Sequence, residues 1–124
     1  MKLLTQQQFE QLKTNGSDQN REKDHFPVVK IFLPGTNCTW LLTEIDPEEP
    51  TIAFGLCDLG MGFPELGNVS LEELENTVVR GIYRVERDHT FAAKYPLSVY
   101  AEAARMVEAI TENENHLKRA SVIK

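Results

Sequence analysis

The order and patterning of the chain predict an α+β domain, an antiparallel β-meander of three to four strands packed against a C-terminal helix. Three observations carry this. Alternating apolar and polar stretches are separated by turn signals at Pro34-Gly35 and from Asp46 to Pro50. Helix-start patterns at Thr5 and Ser70 place short helices at the N-terminus and after the third strand. Beyond Pro96, apolar residues recur at helical spacing.

Thr5 is suited to cap the first helix, with Gln8 as its capping-box partner and Leu4 stapling onto Phe9. Leu12 continues that face and Asn15-Gly16 supplies the stop. Ser17 to Asp24 is polar and reads as a mobile loop. Strands are expected over Phe26 to Leu33, Cys38 to Ile45 and Thr51 to Leu59. With tight turns, Leu33 falls opposite Cys38 and Ile45 opposite Thr51. One face then gathers Val29, Ile31, Leu33, Trp40, Leu42, Ile52, Phe54 and Leu56, the expected core. Ser70 with Glu73 forms a second capping box, and Val69 is placed to staple onto Leu74. Val78 to Val85 reads as a fourth strand weakened by Gly81. Leu97, Tyr100, Ala104 and Val107, flanked by Ala103, Met106 and Ile110, make the stripe that should lie over Trp40 and close the core. Residues 1–112 are thus expected to form the single domain, and 113–124 a frayed polar tail in which Leu117, Val122 and Ile123 are the docking candidates.

At 124 residues, 41% hydrophobic and 26% charged, the chain has the size and balance of one globular domain. No apolar run approaches the roughly 20 residues of a membrane span. The opening MKLLTQQQFEQLK lacks the apolar centre of a signal peptide. A cytoplasmic setting is expected, with Cys38 and Cys57 reduced and structural. The net charge of −6 is unevenly placed: between Lys30 and Arg80 there are nine acids and no Lys, Arg or His. Such a middle repels nucleic-acid phosphates and favours a basic partner, or simply keeps a small protein in solution.

The glycine-rich stretch Gly60-Met-Gly-Phe-Pro-Glu-Leu-Gly67 does not read as a phosphate cradle. Glu65 stands where the third glycine of a dinucleotide fingerprint belongs, Pro64 removes a backbone donor, and Asp58 and Glu65 repel phosphate. Its glycines are expected to supply positive φ in a strand-to-helix crossover. No metal-ligand spacing occurs, and no metal or cofactor is expected. The catalytic candidates are Cys57 and Asp58 with His25 or His89, joined only if the fold brings them together. Recognition is the leading reading. Met61, Phe63 and Pro64, rimmed by Asp58, Glu65 and Glu72, form the candidate contact surface, unless Phe63 and Leu66 fold inward and plug the end of the core.

The stretch from Thr39-Trp-Leu-Leu-Thr-Glu through Asp46-Pro to Ile52-Ala-Phe-Gly-Leu-Cys-Asp-Leu-Gly-Met-Gly-Phe-Pro-Glu-Leu-Gly67 resembles the domain of unknown function 2958 family. Lys2-Leu-Leu-Thr, His25-Phe-Pro-Val-Val-Lys and Pro96-Leu-Ser-x-Tyr-Ala fit it as well, so the resemblance runs nearly to Ile110. It implies small cargo of bacterial plasmids, conjugative elements and phages, found alone or joined to larger mobile-element proteins. No catalytic residue is carried over by it. The expected function is that of a non-enzymatic accessory that binds another protein, with counter-defence as one such role. Two other readings stay open: a small cysteine- or carboxylate-dependent hydrolase or transferase, and an acidic mimic of nucleic acid.

Overall fold

Local capping signals start the first two helices, and long-range contacts decide the strands. The computed structural model describes residues 3–123. Helix α1 (Gln6–Asn15) is capped as its pattern requires: Thr5 Oγ1 accepts from the Gln8 amide and Gln8 Oε1 accepts from the Thr5 amide, both at 3.0 Å. Gly16 ends it with φ −87°, so no left-handed cap is involved. Glycine is needed there for space, since a Cβ would lie 1.9 Å from the Ile45 carbonyl oxygen.

The strands β1 (Val29–Phe32), β2 (Cys38–Asp46), β3 (Glu49–Leu59) and β4 (Glu65–Ser70) form an antiparallel meander, followed by helix α2 (Leu71–Asn76). A two-stranded hairpin, β5 (Val78–Val79) and β6 (Tyr83–Arg84), leads to β7 (Glu86–Arg87), which pairs with β1. The main sheet has the order β4-β3-β2-β1-β7. Helices α3 (Leu97–Val107) and α4 (Glu114–Ile123) complete an α+β fold.

Four expectations are corrected here. A strand, β4, stands between the glycine-rich loop and α2, so that loop closes a β-hairpin instead of crossing from strand to helix. The stretch Val78 to Val85 folds back at Arg80-Gly81, both at positive φ, and is not one strand. The polar loop before β1 is tied down: Asp24 Oδ1 accepts from the Ser98 amide at 3.1 Å, and the His25 carbonyl accepts from the Leu97 amide at 2.8 Å. These bonds satisfy the open start of α3, which Pro96 leaves without a side-chain cap. Lastly, the segment expected to fray forms α4, with Leu117 and Ala120 buried and Val122 and Ile123 exposed.

The two faces of the sheet also differ from expectation. Leu33 does fall opposite Cys38, its amide donating to the Cys38 carbonyl at 3.1 Å. Between β2 and β3, however, the register pairs Trp40 with Cys57 and Leu42 with Gly55, one residue away from the tight-turn pairing. A one-residue change exchanges the faces of a strand. Val29, Ile31, Trp40 and Leu42 therefore share their face with Cys57 and Ala53, under α1, Leu71 and Leu74. Phe54 and Leu56 lie on the opposite face with Leu41, beneath Tyr100, Ala103 and Leu117. Trp40 is buried, but the helix that covers it is not α3.

A bulge at Thr43 keeps Ile45 on the Trp40 face, opposite Ala53. Thr43 is itself buried, and its carbonyl accepts from Asn15 Nδ2 at 2.9 Å. Gly55 admits the bulged strand, since a Cβ there would stand 2.0 Å from the Leu41 carbonyl oxygen. The sheet is thus covered on both faces, and its two long hairpin loops project from the end away from Thr43.

Candidate functional site

The β3–β4 hairpin is built outward from a buried carboxylate. Asp58 is 3% exposed; its Oδ1 accepts from the Gly60 amide at 2.8 Å and its Oδ2 from the Ile110 amide at 2.9 Å. One side chain thereby fixes the turn and ties it to the link between α3 and α4. Asp58 is an anchor of the hairpin rather than part of its outer surface, so it leaves the candidate contact set. Gly60 and Gly62 take φ values of +78° and +85°, the backbone role expected of them.

Beyond this anchor, large apolar side chains point to solvent. Met61 is 74% exposed and Phe63 77%, which settles Phe63 as surface and not core; Leu59 and Leu66 are exposed beside them. Pro64 is buried, and Glu65 is exposed at the start of β4. Phe63, Pro64 and Leu66 wall an open groove of about 560 Å³, whose other side is Arg105 and Glu108 of α3 and its cap. Glu72 is exposed on the first turn of α2, beyond the far end of β4. Strand rise places that end roughly 17 Å from Glu65, so Glu72 stands apart from the tip.

The catalytic candidates do not converge. Cys57 and Asp58 are neighbours in a strand and therefore point to opposite faces. Cys57 is half-buried opposite Trp40, and burial raises its thiol pKa, which disfavours the thiolate. His25 lies beyond the opposite end of the sheet, its Nε2 2.7 Å from the Asn20 carbonyl. His89 is exposed in the turn after β7. Cys38 Sγ donates to the Leu59 carbonyl at 3.5 Å, and both cysteines are free. Among the described residues no group of three or more His, Cys, Asp or Glu is arranged to hold a metal ion.

A polar cavity of about 380 Å³ lies on the α3 side of the hairpin base, lined by Lys30, Thr39, Asp58 and Gly60 among others. Its charges are already matched. Lys30 Nζ pairs with Glu112 and stands 3.5 Å from Asp88. Burial of the ammonium works against its charge, but the two carboxylates outweigh it and hold Lys30 above its ordinary pKa. This ion triad joins β1, the turn after β7 and the α3–α4 link, a structural task.

Sequence reasoning missed Leu59 and Leu66 as exposed residues, along with the anchoring role of Asp58. Leu66 was hidden because β4 itself was not read; its alternation in Glu65-Leu-Gly-Asn-Val-Ser70 carries only two apolar residues. Asp58 bonds an amide 52 positions away, and no local pattern announces such a partner.

Fold and surface together define an α+β protein whose antiparallel sheet is covered on both faces and whose β3–β4 hairpin tip exposes Met61 and Phe63. Residues 3–111 match the family described as Protein of unknown function (DUF2958), and the chain belongs to that family. No curated protein and no solved structure gives a significant match. Among the described residues no helix is long and apolar enough to cross a membrane.

Proposed function

We propose that the chain is a non-enzymatic accessory of a bacterial mobile element, acting in the cytoplasm by binding another protein through the β3–β4 hairpin tip. The observation that carries this reading is the exposure of Leu59, Met61, Phe63 and Leu66 in one hairpin. Exposed apolar side chains on an anchored turn, with Glu65 and Glu108 beside the groove that Phe63 and Leu66 wall, suit recognition. The anchor also lowers the ordering cost of binding, because the turn is already fixed by Asp58. Counter-defence is a fitting role for such an accessory, with a host defence protein as the bound target.

The test is affinity capture from the native host with the element's other proteins present. The wild-type chain should recover one stoichiometric partner. The double variant Met61→Ser with Phe63→Ser should lose that partner while keeping its thermal stability, since both side chains already face solvent. Retention of the partner by the double variant would refute the tip as the contact.

A further inference from the structure

We infer that the outer edge of β4 accepts an extended, basic segment of a partner protein as a sixth strand of the sheet. This rests on the tip reading and extends the contact from the hairpin along the neighbouring strand. β4 is the terminal strand of the sheet, and its register with β3 runs unbroken from Ile52↔Ser70 to Cys57↔Glu65. In an edge strand of this regularity, alternate backbone N–H and C=O groups point outward in a row. Such a row is the template used in strand addition.

Edges are ordinarily guarded by lysine, proline, a bulge or extreme shortness. Glu65–Ser70 contains no lysine and no proline, and its pairing has no irregularity. The opposite edge, β7, has two residues, one of them Arg87, whose Nη1 donates to the Leu3 carbonyl at 3.0 Å. The two edges are therefore treated differently by the same fold.

Charge selects the occupant. The span from Ile31 to Val79 has no basic residue, and Glu65, Glu72 and Glu73 are exposed around the two ends of β4. Arg105, across the groove, is engaged by Glu102 at 2.9 Å. A second copy of this chain would bring acid against acid, whereas a segment alternating apolar residues with lysine or arginine would pair its cations with these glutamates. One apolar side chain of that segment has a place ready, in the groove walled by Phe63 and Leu66.

A synthetic peptide alternating valine with lysine is the probe, with its valine–glutamate counterpart and a valine–lysine peptide N-methylated throughout as controls. Amide hydrogen exchange is followed in the wild-type chain and in Gly67→Lys. Gly67 has ordinary negative φ and open space around a Cβ, so that variant should fold while placing a guarding cation mid-edge. The valine–lysine peptide should slow exchange of the outward amides of β4, lose affinity with added salt, and bind Gly67→Lys about tenfold more weakly or worse. Neither control should protect β4. Absent protection at millimolar peptide, equal binding of either control, or undiminished binding to Gly67→Lys would overturn the proposal. Failure here is distinguishable from failure of the tip reading. Resonance shifts at Met61 and Phe63 with unprotected β4 amides would sink strand addition and leave the tip standing. Protected β4 amides, with the host partner still captured by the Met61→Ser, Phe63→Ser variant, would do the reverse.

Discussion

Removing the Asp58 carboxylate should loosen the protein at two places at once. Asp58→Ala deletes both acceptors, the one that holds the Gly60 amide at 2.8 Å and the one that holds the Ile110 amide at 2.9 Å. A hydrogen bond to a charged group contributes about 1.5–3 kcal/mol. The two losses are unequal. Both bonds are partly buried, but Gly60 is an exposed residue whose amide regains a water partner more readily than that of half-buried Ile110. The sum should be about 2–4 kcal/mol, a large share of the roughly 5–15 kcal/mol that keeps a domain folded. Asp58→Asn keeps one oxygen and turns an NH₂ toward the other donor, so about half that loss is expected. Urea denaturation gives the magnitude, and amide exchange gives the location: the Gly60 and Ile110 amides should both accelerate more than the β2 core amides. A variant within about 0.5 kcal/mol of wild type, or an Ile110 amide that exchanges at its original rate, would refute the anchor.

Gly16→Ala and Gly55→Ala should each cost about 3 kcal/mol or more in denaturant melts, because their Cβ atoms meet backbone oxygens at 1.9 and 2.0 Å. Gly62→Ala, whose Cβ meets nothing, should cost only the left-handed strain of about 1–2 kcal/mol, so equal losses at all three would contradict the close-approach account. Trp40→Ala should cost about 3–5 kcal/mol and perturb the amides of α1 before those of α3. Stability should also fall at both extremes of pH. Lys30, raised above its ordinary 10.5, contributes fully below that value and loses its contribution as pH climbs through the higher folded value. Asp88 is lowered below 3.8, first by its bonds from Thr90 and then by Lys30. Its contribution is present above 3.8 and is lost as pH falls through the lower folded value. Lys30→Met should flatten the alkaline limb of a pH series of melts, and an unchanged limb would refute the triad's role.

What could be read in advance tracks how local the governing physics is. The Thr5 cap, its Gln8 partner and the Leu4 and Phe9 pair lie within six residues, and α1 forms as its letters indicate. The meander was legible from alternation and turn signals, and so was the burial of Trp40. The face of β3 was not, because it depends on how Thr43 bulges and on the two-residue turn between Asp46 and Glu49. A second register shift, between Ile45 and Asp46, adds to these two, and the net displacement of one residue exchanges Leu56 for Cys57 beneath α1. β4 was obscured by Pro64 and Gly67, which read as punctuation although Gly67 sits in an extended strand. Helix α4 has a single large buried side chain, Leu117, so its docking was not separable from an exposed polar helix or tail. At the surface, the exposure of Met61 and Phe63 depended on the course of the hairpin, which Asp58 fixes partly through the Ile110 amide 52 positions away.

A sheet covered on both sides has an order of assembly written into its chain. The meander and most of the core around Trp40 are in place soon after Leu74, with Val79, Tyr83 and Val85 still to pack on that side and Arg87 to hold Leu3. The second side waits for α3, which begins at Leu97, and for Leu117 after it. At the ordinary pace of synthesis, roughly 5–20 residues per second, a nascent chain spends about one to five seconds between Ser70 and Leu97. During that interval Leu41, Phe54 and Leu56 have nothing above them, and β4 already offers its unguarded rim. Newborn copies on neighbouring ribosomes are then most exposed to one another, and like charge on the exposed acids Glu65, Glu72 and Glu73 opposes their pairing.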